Sequence, residues 1–194
     1  MEGFLNHLRN TEGYQDQIEH IEVIEAEEEQ HGELDRPLPG LIQDYLDDKG
    51  IRLYKHQAEA INLARSGRNI VISTPTASGK TLAFNIPVFE ALLNDPQARA
   101  LYIYPMKALT NDQLKALLEL EEETGIEVNP NRYDGDTPKS IRPRIRRESR
   151  IILTNPYGLH LYLPWHSRWK TFFENLRYII IDESQYLKTD VLNR

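Results

Sequence analysis

Three consecutive residues, Gly79, Lys80 and Thr81, have the types and order of a phosphate-binding loop. They lie between a β-branched run at 69–73 and a helical pattern at 82–93, so the chain must turn sharply from a strand into a helix. Such a turn directs backbone N–H groups and the positive helix N-terminus at one point, where phosphate oxygens bind. The pattern therefore predicts that Lys80 binds phosphate and that the Thr81 hydroxyl binds Mg²⁺.

The loop itself is predicted to contact the nucleotide. Gly79 suits this contact because a Cβ there would crowd a phosphate. An ordinary strand-turn-helix corner is the alternative, since Thr74 stands where such loops usually begin with glycine. The predicted nucleotide contacts of the loop are Thr76, Ala77, Ser78, Gly79, Lys80 and Thr81.

Two acidic residues, Asp182 and Glu183, follow a second apolar run at 178–181. The carboxyl ends of parallel strands are where ligands bind in an α/β sheet. Asp182 would reach the magnesium ion, and Glu183 would orient or deprotonate the attacking water. A strand that ends in a solvated acidic turn is the alternative. Together, Lys80, Asp182 and Glu183 are the predicted catalytic residues.

The composition indicates a globular domain without a membrane segment. The 194 residues, 40% of them hydrophobic, suffice for one core, and no run of 18 apolar residues is present. The N-terminus lacks the apolar centre of a signal peptide, and the chain has no cysteine. We therefore expect a cytoplasmic protein without disulfides or thiolate metal sites.

The net charge of −7 is unevenly distributed. Residues 1–50 carry 14 acidic against 3 basic side chains, whereas residues 51–194 carry 20 basic against 16 acidic ones. Local charge decides contact with phosphates, so the acidic total does not exclude nucleic-acid binding by the second part. We predict an acidic extension at 1–35, in which 17–25 forms a strand or, alternatively, a helix, and a domain at 36–194.

From residue 36 onward, helical patterns alternate with apolar runs. This alternation predicts a parallel sheet with helices on both faces. The predicted helices are 41–48, 55–64, 80–93 and 110–123, with helical segments near 138–147 and 156–163. The predicted strands are 69–74, 100–104, 127–133, 150–154 and 178–182.

An ordered set of motifs resembles the first RecA-like domain of superfamily 2 helicases. The set consists of YKHQ at 54–57, TPTASGKT at 74–81, YPMKAL at 104–109, YDGDT at 133–137, LTNP at 153–156 and DESQ at 182–185. The motif sequences YDGDT and TNP are most similar to those of the DEAD/DEAH-related DNA helicases of bacteria and archaea that are allied to yeast's fourth-RecQ-like helicase. The resemblance covers about residues 36–190 and implies an α/β fold of the RecA-like P-loop type.

The resemblance also implies roles for individual residues. Gln57 would read the adenine edge of ATP, for which a carboxamide has a matching donor and acceptor. Loops at the strand ends would follow one nucleic-acid strand by its phosphates. Turn formation alone is the alternative for each loop. The residues that would contact the strand are Pro105, Lys107, Gly135, Thr137, Thr154 and Asn155.

Two side-chain clusters have open interpretations. The basic stretch at 139–150, which includes Arg146 and Arg147, lines the nucleic-acid side or lies on a solvated face near a helix C-terminus. The aromatic stretch at 157–169 stacks bases, or Tyr162 and Trp165 pack against the sheet, which we favour.

The sequence departs from the family pattern in two places. Gln185 replaces a His or Asp that couples the nucleotide site to the strand, and the sequence stops 12 residues after Asp182. We expect a fragment of a longer ATP-dependent helicase, with ATP and Mg²⁺ as cofactors, a second RecA-like domain as partner and little activity alone. Single-stranded or partly duplex nucleic acid, DNA rather than RNA, is the expected substrate. A nucleotide-gated binding module without unwinding activity is the alternative, and a metabolic P-loop kinase is disfavoured.

Overall fold

A parallel β-sheet forms the centre of the domain in a computed structural model that describes residues 2–15, 17–22, 30–74 and 78–183. Over these residues the sheet has four strands in the order β2-β3-β1-β4. The strands are β1 (Arg99–Ile103), β2 (Asn131–Arg132), β3 (Ile151–Thr154) and β4 (Leu176–Ile181). All three pairings are parallel, which confirms the predicted α/β class.

Helices connect the strands and cover the sheet. They are α1 (Glu2–Arg9), α2 (Gly40–Asp48), α3 (Lys55–Arg65), α4 (Lys80–Asn94), α5 (Lys107–Thr124), α6 (Arg142–Glu148), α7 (Pro156–Tyr162) and α8 (Lys170–Glu174), with a 3-10 helix (Leu163–Trp169) between α7 and α8. The predicted helices near 41, 55 and 80 begin within one residue of the observed ones. Helix α5 begins three residues before the predicted start at 110.

Side chains of β1 alternate between two buried layers. Ala100 and Tyr102 join the larger cluster with residues of α2, α3, α4 and α5, whereas Leu101 and Ile103 join a smaller cluster with Trp169. This alternation follows from the two-residue period of a strand. Both faces of the sheet are therefore covered, as predicted for a sheet with helices on both sides.

The predicted strand at 69–74 is wrong. Its residues are described, but none pairs with a neighbouring strand, and Val71 is 92% exposed. Strand preference of β-branched residues depends on packing against neighbours, so an apolar run without a partner forms no ladder. Within the described residues β4 is consequently an edge strand, with Ile179 and Ile181 about half exposed.

Three further predictions need correction. The strand predicted at 127–133 is reduced to β2, because the positive φ of Asn129 interrupts the extended backbone before it. Residues 17–22 form neither strand nor helix, and the rest of the predicted element at 17–25 lies outside the described residues. Trp165 does not pack against the sheet, since it is 58% exposed.

The segment before α2 is attached to α3. The backbone N–H of Gly32 donates to the Leu53 carbonyl oxygen, and His31 forms an antiparallel bridge with Tyr54. The Asp35 backbone N–H donates to Oδ1 of Asn62 at 3.0 Å. Chain positions 31–35 therefore already contact the domain. The division at residue 35 stays a prediction. None of the described helices is long and apolar enough to span a membrane.

Candidate nucleotide and nucleic-acid site

The end of the predicted phosphate loop lies at the N-terminus of α4. Gly79 is the residue before the helix and has a φ of 74°, in the left-handed region that favours glycine. A Cβ at this position would lie 2.4 Å from Nε2 of Gln57. Position 79 therefore requires glycine for a second reason besides the predicted approach of a phosphate, because a side chain there would collide with Gln57 of α3.

Gln57 connects this loop to the start of α3. Its Nε2 donates to the Gly79 carbonyl oxygen at 2.8 Å, and its Oε1 accepts from the Tyr54 backbone N–H at 2.8 Å. The side chain is only 2% exposed. A carboxamide has two N–H donors and two acceptor lone pairs, so one donor and one lone pair remain for a ligand edge. Its predicted contact with adenine stays a prediction.

Further contacts hold the described part of the loop. The Lys80 ammonium donates to the Thr74 carbonyl oxygen at 3.0 Å, and the hydroxyls of Thr74 and Ser78 lie 2.6 Å apart. Nε2 of His56 lies 3.0 Å from the Ser78 carbonyl oxygen. His56 has no predicted role of its own, although it adjoins Gln57. Thr76 and Ala77 lie outside the described residues.

The predicted acids lie where the carboxyl ends of adjacent strands meet. The Asp182 backbone N–H donates to Ile103 at 3.2 Å, and the Tyr104 N–H donates to Thr154 at 3.0 Å, so β3, β1 and β4 end at one edge. Oδ1 of Asp182 accepts the Glu183 backbone N–H at 2.9 Å. Glu183 has a φ of 52°, an uncommon conformation for a residue with a side chain. Such strain is typical of functional turns.

Tyr104 is buried beside this acidic turn. Burial first, and then the negative charge of Asp182, raise the pKa of the Tyr104 phenol. Its hydroxyl has no hydrogen-bond partner among the described atoms. The phenol therefore stays protonated near Asp182 and is a donor that no sequence motif indicates.

The chemistry of the site fits a nucleotide with Mg²⁺. The N-cap residue of α4 is a glycine, so no capping side chain competes with phosphate oxygens for the helix N-terminus. Thr81 and Asp182 offer a hydroxyl and a carboxylate, the hard oxygen ligands that Mg²⁺ prefers. Among the described residues no group of three acidic, His or Cys side chains forms a metal cage. Sharing of the ion with phosphates is the arrangement that these two ligands favour.

The loops after β1 and β2 are joined by an ion pair. The Lys107 ammonium lies 2.6 Å from Oδ2 of Asp136, and both side chains are more than half exposed. Hydrogen bonding to Lys107 first, and then its positive charge, lower the pKa of Asp136. Pro105 is half-buried at the start of the first loop. The structure thus brings together the loops that contain Pro105 and Gly135.

The arginines of α6 have two kinds of environment. Arg142 donates to the carbonyl oxygens of Thr137 and Asp134 and its guanidinium lies over the rings of Tyr133 and Tyr162. Arg146 donates to the Tyr133 hydroxyl. Arg147, in contrast, is 71% exposed and contacts only Glu148 among the contacts of the described chain. Arg142 and Arg146 therefore organise the neighbouring loop, while Arg147 faces solvent.

The loop after β3 combines a buried and an accessible residue. The Thr154 hydroxyl is buried without a hydrogen-bond partner in the described chain, whereas the Asn155 side chain accepts the Gly158 backbone N–H at 2.7 Å and begins α7. A side-chain contact of Thr154 with a nucleic-acid strand would require this loop to open. Its predicted role, like that of Asn155, stays a prediction.

The chain belongs to the DEAD/DEAH box helicase family, which it matches over residues 54–193. It is 46% identical to the uncharacterized ATP-dependent helicase YprA of Bacillus subtilis over 154 residues, which are 76% of this chain and 21% of YprA. It is 39% identical to the ATP-dependent helicase hrq1 of Schizosaccharomyces pombe over 191 residues, which are 95% of this chain and 18% of hrq1. The chain thus spans about a fifth of these relatives.

Solved structures confirm the predicted RecA-like fold. The crystal structure of the DUF1998 helicase MrfA bound to DNA and AMPPNP superposes with a TM-score of 0.81 at 42% identity, over 84% of this chain and 23% of MrfA. The more distant DEAD-box helicase Mss116 matches with a TM-score of 0.67 at 22% identity and shares the fold. The predicted kinship with DNA helicases and the hrq1 type is confirmed.

Proposed function

We propose that this chain is the ATP-binding domain of an ATP-dependent helicase that couples ATP hydrolysis to movement along a single strand, with DNA as substrate. The hydrogen bond from Gln57 to Gly79 is the observation that carries this proposal. It places a side chain suited to adenine directly against the end of the loop suited to phosphates. The DNA- and AMPPNP-bound structure of MrfA supports the choice of substrate and nucleotide.

Each predicted catalytic residue has a definite task in this proposal. Lys80 binds the outer phosphates of ATP by a full positive charge, and backbone N–H groups at the start of α4 bind them by hydrogen bonds. Glu183 orients the attacking water and accepts its proton. Thr81 and Asp182 would hold Mg²⁺, which neutralises charge that develops on the phosphates.

The strand edge offers a path for the nucleic acid. Lys107, the first residue of α5, lies at the same edge of the sheet as Asp182, and so do Gly135 and Asn155. A nucleic-acid strand that follows them would run close to the nucleotide site. Backbone contacts to phosphates position a strand without reading its sequence. We therefore expect binding without sequence preference.

A second RecA-like domain of the full-length protein would close over the nucleotide. Movement of two such domains against each other is what converts hydrolysis into translocation. An arginine supplied from across the cleft raises hydrolysis by roughly 10³- to 10⁵-fold in other P-loop enzymes. The 194-residue chain alone is therefore expected to bind nucleotide weakly and to hydrolyse it very slowly.

Nucleotide titration of the chain tests the proposal. ATP and ADP should bind more tightly than GTP, because the 6-oxo group of guanine mismatches the Gln57 carboxamide. Lys80→Ala should abolish binding and leave the circular dichroism spectrum unchanged. Lys115→Ala, which removes an exposed lysine of α5, is the matched control and should bind normally. Normal nucleotide binding by Lys80→Ala would refute the assignment of the loop.

The alternative, a nucleotide-gated nucleic-acid-binding module without unwinding, predicts a different result for the full-length protein. A helicase should hydrolyse ATP faster when single strands are added and should separate a partly duplex substrate. A binding module should hold the strand in a nucleotide-dependent manner and leave the duplex intact. Strand-separation assays with the full-length protein distinguish these two functions.

A further inference from the structure

Trp165 is a large aromatic residue on the surface of the 3-10 helix. The backbone bends at this residue, which has a φ of −101° and a ψ of 27° inside an otherwise helical segment. The bend turns Trp165 outward, so that 58% of it is exposed, while Trp169 one turn later is 5% exposed. Tryptophan is enriched at interfaces, because its ring offers a large apolar face together with a polar N–H group.

The surroundings of Trp165 are positively charged. The Arg168 guanidinium lies over its ring, with 5.0 Å between the guanidinium carbon and the ring centroid. Helix α7 (Pro156–Tyr162) and the 3-10 helix (Leu163–Trp169) contain this arginine and no Asp or Glu, although the whole chain has a net charge of −7. A surface element with a cation and without acids suits a polyanion.

The same element is joined to the loops of the proposed strand path. Arg142 lies over the ring of Tyr162, 5.4 Å from its centroid, and donates to the Thr137 and Gly135 carbonyl oxygens. Tyr162 in turn packs with Trp169, and their ring centroids are 6.2 Å apart. The 3-10 helix thus adjoins the loop at 134–137 through packed rings and one arginine.

We propose that Trp165 and Arg168 form a base-stacking site for single-stranded nucleic acid. A base stacks on the face of the Trp165 ring opposite Arg168, and Arg168, which covers the other face, binds the adjacent phosphate. Every base has a π-face, so this site tolerates any sequence and suits a motor that moves along a strand. The inference rests on the proposed function and adds base contacts to loops that contact the backbone.

Oligonucleotides with and without bases test the site. The probes are a labelled oligothymidylate of about 12 nucleotides, within the range that such surfaces bind, and an abasic oligonucleotide with the same phosphates. Fluorescence anisotropy should show that Trp165→Ala weakens oligothymidylate binding about 5- to 100-fold, as expected for one lost base stack. Binding of the abasic strand should change less than twofold.

Two variants control for the chemistry of the change. Trp165→Phe keeps an aromatic ring and should restore most of the affinity. Leu163→Ala removes another exposed apolar side chain from the same 3-10 helix and should leave binding unchanged. Tryptophan emission adds a direct readout, because the strand should protect Trp165 from iodide in the parent chain, whereas Trp165→Phe retains only the buried Trp169.

The outcomes separate this inference from the proposed function. Equal effects of Trp165→Ala on both probes, or none on either, overturn the stacking site and leave strand binding by the loops in place. A dimer in sedimentation that Trp165→Ala dissolves also overturns it and assigns the surface to contact between two copies. Failure of the parent chain to bind either probe refutes both the site and the strand path.

Discussion

The Gln57 carboxamide and the Gly79 backbone are in direct contact, with 2.8 Å between Nε2 and the carbonyl oxygen. This contact leaves no space for a side chain at position 79, where a Cβ would lie 2.4 Å from Nε2. Gly79→Ala should therefore lower the free energy of unfolding in two ways. The left-handed φ should cost about 1–2 kcal/mol for a residue with a side chain, and displacement of Gln57 from its hydrogen bond should cost about 1 kcal/mol more.

A second glycine provides the matched control. Gly125 has a φ of 67°, close to that of Gly79, but no atom lies within 4 Å of a Cβ built there. Gly125→Ala should show the backbone cost alone in urea unfolding. In a Gln57→Ala background, Gly79→Ala should become as mild as Gly125→Ala. An undiminished cost in that background would mean that the contact with Gln57 is not what excludes a side chain.

A buried ion pair joins α3 to α4. The Arg65 guanidinium donates to both carboxylate oxygens of Glu90 and to the Arg36 carbonyl oxygen, and the two side chains are 8% and 13% exposed. Glu90→Gln should lower the free energy of unfolding by about 3–5 kcal/mol, because it leaves a buried guanidinium without its counter-charge. Urea denaturation measures this change.

The exposed pair of Lys115 and Glu119 is the control for Glu90→Gln. These side chains are 80% and 60% exposed, and their charged atoms are 3.7 Å apart. Glu119→Gln should change the free energy of unfolding by less than about 0.5 kcal/mol, as is usual for exposed pairs. Similar effects of the two substitutions would show that burial of Arg65 is unimportant.

The ion pair between Lys107 and Asp136 is expected to restrain strand binding. Asp136 is an ordinary surface acid whose pKa Lys107 lowers, so the carboxylate remains charged at neutral pH and at any pH above its lowered pKa. Asp136→Asn should free Lys107 for a phosphate, tighten oligonucleotide binding and steepen the plot of log affinity against log salt by about 0.7.

The lowered pKa of Asp136 keeps its carboxylate charged throughout the neutral range, so the pair with Lys107 should persist there. Strand binding by the parent chain and by Asp136→Asn should therefore differ by the same factor from about pH 6 to about pH 8. Glu119→Gln removes one acid from the same helix as Lys107 and controls for overall charge. Weaker binding by Asp136→Asn would indicate that the pair holds the loop in its binding conformation instead.

The helices and three of the strands follow from the sequence because their signals are local. Apolar runs precede Thr154 and Asp182 and form β3 and β4, whereas the equally apolar run before Thr74 forms no strand. The difference is the presence of a hydrogen-bonded neighbour, which a propensity does not contain. The parallel sheet and the edge at which the predicted site residues lie were thus predictable, but the full set of strands was not.

The side-chain partners of the site were harder to predict. The predicted role of Gln57 came from the family resemblance and that of Lys80 from the loop motif. The contact of Gln57 with Gly79, in contrast, joins residues 22 positions apart and depends on how α3 packs on α4. Trp165 was misplaced for a related reason. A regular helix would put Trp165 on the same face as Tyr162, but the non-helical backbone at Trp165 breaks this periodicity.

Arg146 and Arg147 should differ in their effects on strand binding, although they are adjacent. The Arg146 guanidinium carbon lies 5.8 Å from the Tyr133 ring centroid, and the guanidinium donates a hydrogen bond to the Tyr133 hydroxyl. Arg146→Ala should therefore mainly destabilise the domain. Arg147 is 71% exposed beside Glu148. Arg147→Ala should lower the slope of log affinity against log salt by about 0.7, the value for one phosphate contact with a single strand.

Titration of an oligonucleotide at several salt concentrations decides between these roles. Lys115→Ala removes another exposed cation, from α5, and should leave the slope unchanged. In urea denaturation, the free energy of unfolding of Arg147→Ala should be close to that of the parent chain, whereas that of Arg146→Ala should be lower. An unchanged slope for Arg147→Ala would place this arginine on a solvated face. Lys107, Asn155 and the proposed stacking site at Trp165 and Arg168 would then remain as candidates for strand binding.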